Sequence, residues 1–121
     1  MYSDLLLLLQ REYIMSNKGL VYYNKVLAGT IEYRDKEYIF TYDLSYFSNQ
    51  SMPSIAISLP KKKAEYRSPV LFPFFYGLLA EGDEKALQCS ALKIDENDHF
   101  TRLLKTTAGD TIGAVTVREA P

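Results

Sequence analysis

The sequence predicts a small single domain of the α+β class: an antiparallel β-sheet, made of a meander plus a returning C-terminal strand, packed with about three helices. Three observations predict it. Between Leu20 and Tyr42, β-branched and aromatic residues form short runs separated by polar turn residues, the pattern of antiparallel hairpins. From Ser68 to Lys105, serine, proline, aspartate and glycine stand where helices start and stop. Strand-forming residues then return at Ile112–Val117. With 121 residues, 47% of them hydrophobic, the chain has material for one core.

The elements follow in order. Val21, Tyr22 and Tyr23 favour a strand, Asn24-Lys25 a tight turn, and Val26 to Tyr33 the returning strand. A polar turn at Arg34–Glu37 leads into a third strand, Tyr38–Tyr42, which Asp43 ends. After a polar loop holding Asn49, Gln50 and Pro53, the spacing of Ile55, Ile57 and Leu59 predicts a fourth strand with one apolar face, stopped by Pro60. Ser68-Pro69 predicts a helix start, with the helix running to Ala80 and Pro73 placing its true first turn later. Gly82 suits a left-handed exit, Asp83 caps a helix to about Leu92, and Asp95–Asn97 cap another to about Lys105, ended by Gly109. There is no internal repeat and no linker to a second domain. Residues 1–17 read as an N-terminal extension and 18–121 as the domain. Within the extension, Asp4 as N-cap and Leu5, Leu8, Leu9 and Ile14 on one face predict a short amphipathic helix, which would dock on the domain or on a partner.

Composition excludes several classes of function. Fourteen basic and fifteen acidic side chains give a net charge of −1, so no global field draws in nucleic acid or anionic lipid. The Leu5–Leu9 run is far short of the ~20 residues that span a bilayer, and Asp4 stands where a secretory signal needs positive charge. The one cysteine, Cys89, allows no internal disulfide and suits a reducing compartment, so a cytoplasmic protein is expected.

The usual sources of chemistry are missing. His99 is the one histidine and has no cysteine cluster beside it, so no metal is expected and a surface or capping role is. Cys89 lacks an activating neighbour and reads as a packed thiol. Glu81, Asp83 and Glu84 sit at a helix junction, where acids complement the helix dipole. Gly109–Gly113 lacks the preceding strand and the lysine of a phosphate loop. No cofactor and no enzymatic activity are expected. The residues singled out for partner binding are Lys61, Lys62, Lys63, Tyr66 and Arg67, four positive charges around an aromatic in an expected exposed loop after Pro60. A second feature is the ten tyrosines without any tryptophan: Tyr22, Tyr23, Tyr33, Tyr38 and Tyr42 lie on neighbouring strands, and some should form an amphipathic surface.

The ordered series VYYNKVLAGTIEY, YIFTYD, ISLP, PFFYGLLAEGD and GDTIGAV, over roughly residues 20–118, resembles the N-terminal domain of HipA-type toxin kinases. In that family the domain packs against the kinase body. Where a HipA chain would continue into the kinase, this sequence ends at Pro121, and so it looks like the separately encoded HipS antitoxin of tripartite systems. The resemblance implies a HipA-like serine/threonine kinase toxin as partner, within a larger complex that includes a DNA-binding HipB-like antitoxin. Direct nucleic-acid or membrane binding is not expected from it. The chain departs from the pattern by its leucine-rich start and by lacking tryptophan, so an inhibitory contact made by tryptophan would fall to Tyr66. The competing reading is a nucleic-acid-binding module using residues 60–67, and a steep loss of binding with salt would distinguish it.

Overall fold

A computed structural model describes residues 17–109 and 113–121; the expectations for the leucine-rich start and for Asp110–Ile112 lie outside them. Strands β1 (Lys18–Tyr23), β2 (Val26–Arg34) and β3 (Glu37–Tyr42) form the expected meander, and β5 (Val115–Glu119) returns beside β1. Together with β4 (Glu65–Ser68) they give a five-stranded antiparallel sheet in the order β4-β3-β2-β1-β5. Both hairpins turn on residue pairs with positive φ, Asn24-Lys25 and Asp35-Lys36, the two-residue geometry whose twist matches that of the flanking strands.

One face of the sheet holds the core. Val21, Ile31, Phe40, Tyr42, Val115 and Val117 point to it, and the described helices supply the second layer: α1 (Leu44–Ser48), α2 (Pro73–Tyr76), α3 (Gly82–Leu92) and α4 (His99–Thr106). Asp43 ends β3 and caps α1, its carboxylate accepting from the amides of Ser45 and Tyr46. Asp98 does the same for α4 through the Thr101 amide, and Phe100, Leu103 and Leu104 of that helix face the sheet. The end of α4 is tied to the edge strand: the Val117 amide donates to the Thr107 carbonyl at 3.1 Å. Gly29 is required by packing, since a Cβ there would stand 2.3 Å from the Thr41 carbonyl oxygen. Cys89 is buried, as a packed thiol should be.

Several expectations are corrected. Ile55–Leu59 is a loop, with Ile55 and Leu59 buried while Ile57 points out; period-two spacing here records a chain looping away from the core between two anchors. The fourth strand is instead Glu65–Ser68, too short and too polar to signal itself, and held by pairing with β3. Consequently residues 60–67 are not one loop, because Tyr66 and Arg67 belong to β4. The helix expected over residues 70–80 shrinks to one turn starting at Pro73, and Ser68 Oγ accepts from the Val70 amide in a local turn. Gly82 takes the left-handed conformation as expected, yet at the start of α3, with Asp83 inside the first turn rather than capping it. The cap of α4 is Asp98, later than Asp95–Asn97.

Candidate partner-binding surface

The connection from α1 to β4 carries most of the residues singled out for binding, and it is held by tyrosine hydroxyls. Tyr42, buried in the core, accepts from the Ile55 amide at 3.1 Å and donates to the Leu59 carbonyl, closing both ends of the 55–59 loop. Tyr46 donates to the Pro53 carbonyl at 2.6 Å, and Tyr66 donates to the Pro60 carbonyl. Burial raises the pKa of all three, that of Tyr46 to about 12, so the phenols stay protonated donors throughout the physiological range. Lys61 adds a fourth brace: its ammonium donates to the carbonyls of Asn49 and Met52 at 2.7 and 2.8 Å and lies over the Tyr46 ring.

A rigid loop of this kind presents whatever stands at its tip, and that residue is Ile57. The Leu59 amide donates to the Ala56 carbonyl, so Ile57 and Ser58 occupy the centre of a tight turn, and Ile57 is 100% exposed. An isoleucine held in water by a braced turn adds no buried surface to the fold, which makes it the candidate contact residue of this loop. Sequence reasoning missed it by assigning Ile57 to a strand face. The one local hint was Pro53 and Pro60 on either side of the segment, since proline cannot donate to a sheet ladder.

The structure separates the five residues expected to bind a partner. Lys62 and Lys63 are exposed at the turn, and the Lys63 ammonium lies 4.6 Å from the centre of the Tyr66 ring. Lys61 is engaged internally, as above. Arg67 points to the other face of the sheet, where it is exposed and pairs with Glu65 at 2.9 Å and Glu37 at 3.4 Å; its pKa is raised, chiefly by the Glu65 hydrogen bond. Tyr66 is half-buried, packed against the core from β4. Other tyrosines expected to form a surface are also in use: Tyr33 and Tyr38 pair across strands at 4.7 Å, and Arg118 lies over Tyr22. Ile57, Lys62 and Lys63 are the exposed residues of interest on the α1–β4 connection itself.

Among the described residues, no group of three or more histidine, cysteine or acidic side chains is placed to hold a metal ion, and no helix is long and apolar enough to cross a membrane. His99 is part-exposed at the start of α4, which Asp98 caps; its ring packs edge-on to Tyr76, and Nδ1 accepts from Arg102 at 3.1 Å.

Comparison with known proteins agrees with this architecture. The family model described as HipA N-terminal domain matches residues 19–118. An uncharacterized protein of Haemophilus influenzae is 29% identical over 109 residues, covering 90% of this chain and 96% of its own length. Among solved structures, the N-terminal domain of HipA toxin superposes with a TM-score of 0.64 at 24% identity, over 86% of this chain and 92% of that one, a likeness of fold.

Proposed function

Because the chain belongs to the HipA N-terminal domain family, we propose that it acts in a HipA-type toxin–antitoxin system as a non-catalytic protein that binds a HipA-like serine/threonine kinase and inhibits it. The family connects the chain to that system. The step from membership to inhibition rests on one observation: a connection braced by three tyrosine hydroxyls holds Ile57 fully exposed and, five and six residues further along the chain, the exposed Lys62 and Lys63. An exposed apolar residue and two cations on one connection fit a kinase cleft, where acidic side chains that hold magnesium border the nucleotide site. Tyr66 supports the cationic side from beneath, through its bond to Pro60 and its contact with Lys63. That the Haemophilus influenzae relative is matched over 96% of its length supports reading the domain as a unit that occurs by itself. A DNA-binding HipB-like protein in the same complex belongs to this proposal, as does a cytoplasmic setting.

Co-expression with a HipA-like kinase encoded beside it tests the reading. Growth rescue together with co-elution on a sizing column is the expected result; the absence of both overturns it. In the competing nucleic-acid reading Lys62, Lys63 and the exposed Arg67 would meet phosphates, and a steep loss of binding with added salt would favour it.

A further inference from the structure

Arg102 is buried to 2% exposure, and among the described residues no carboxylate lies within ion-pair distance of it. A buried guanidinium is costly unless its charge and its donors are met. Here they are met in part. Nη2 donates to the Ala80 carbonyl at 2.7 Å, and Nη1 reaches the Glu96 carbonyl at 3.5 Å and His99 Nδ1 at 3.1 Å. Arginine only donates, so Nδ1 is the unprotonated nitrogen and His99 is neutral. Among the described residues the buried Nε has no acceptor, which leaves Nε–H and one N–H of Nη2, the pair of atoms that forms the side-on fork for a carboxylate or phosphate.

The same arginine lines a cavity of about 210 Å³ with Tyr76, Leu79, Glu81, Gly82 and Lys85. The cavity lies at the start of α3, an 11-residue helix whose N-cap, Glu81, makes no side-chain bond to its first-turn amides. Buried guanidinium, lysine and uncapped amides thus meet at one opening. We propose that this cavity is an oxyanion-binding site, taking a single carboxylate or phosphate group between Arg102, Lys85 and the start of α3. The site stands apart from the Ile57 loop and does not depend on the proposed kinase partner. Glu81, exposed on the rim, is a competitor for the same guanidinium.

The test is an NMR titration of the whole chain with inorganic phosphate and, separately, acetate, each at constant ionic strength to about 50 mM, a range that captures millimolar dissociation constants. The expected result is saturable shifts of the Gly82, Asp83 and Glu84 amides and of Arg102 Nε–H with at least one probe. The stronger probe identifies the group: acetate points to an acidic side chain or organic acid, phosphate to a phosphorylated ligand. Lys85→Ala, whose side chain is part-exposed, should fold normally and weaken binding about tenfold, the loss of one charged hydrogen bond. Glu81→Gln should tighten it. Absence of saturable shifts with both probes overturns the site, as does binding that Lys85→Ala leaves unchanged. Glu81→Gln lowering the melting temperature with no gain in anion binding also overturns it, because Glu81 would then be the internal partner of Arg102.

Discussion

Replacing Ile57 by alanine separates presentation from folding more cleanly than any other change in this molecule. The side chain is 100% exposed, so truncation removes no buried surface, and unfolding stability should stay within about 0.5 kcal/mol of the parent. In a complex that buries it fully, the three lost carbons are worth about 2.4 kcal/mol at about 0.8 kcal/mol each, a weakening of about 60-fold. Ile55→Ala is the matched control: the same residue type two positions earlier is 6% exposed, and its truncation should cost about 2–4 kcal/mol of stability. Titration calorimetry against the kinase, with urea unfolding of both variants, reads the two quantities. An Ile57→Ala protein that binds the kinase as tightly as the parent would refute the assignment of the loop tip as the anchor.

Other outcomes follow from the same contacts. Tyr66→Phe keeps the ring and loses only the bond to the Pro60 carbonyl, so it should cost about 1 kcal/mol in urea unfolding. Tyr66→Ala also removes packing from the core, and it should weaken kinase inhibition by more than about tenfold, equivalent to 1.4 kcal/mol; unchanged inhibition would remove Tyr66 from the surface. Gly29→Ala places a Cβ 2.3 Å from the Thr41 carbonyl oxygen, and the strand shift this forces should cost at least about 2 kcal/mol in the same assay. The pKa of His99 is lowered from 6.5 by burial first, then by Arg102 and Lys85. The unfolded chain therefore binds a proton that the fold resists, and stability should fall as pH drops below 6.5. His99→Gln should flatten that part of the profile, and an unaltered profile would show that the ring titrates alike in both states.

What the sequence disclosed and what it hid have physical causes. The meander was legible because Asn24-Lys25 and Asp35-Lys36 break alternating apolar runs with turn residues, and both turns form there. The start of α4 was legible to within a few residues, because several candidate caps precede one amphipathic run and only geometry selects Asp98. The hidden parts depend on contacts between distant residues. Glu65–Ser68 carries no strand pattern and is a strand because β3 offers it an edge. Tyr42 looks like any strand tyrosine, yet its hydroxyl organises residues 13 and 17 positions away. The basic cluster was visible as charge, but which cations bond within the chain depends on the carbonyls of Asn49 and Met52 and the carboxylates of Glu37 and Glu65.

Direct binding is the core of the proposed kinase inhibition. Its sharpest test titrates the purified chain into a fixed amount of a HipA-like kinase while autophosphorylation is followed. The account predicts activity falling linearly to zero at one equivalent, with inhibition retained at high salt because an apolar contact anchors it. Full kinase activity at several equivalents of the chain would contradict it.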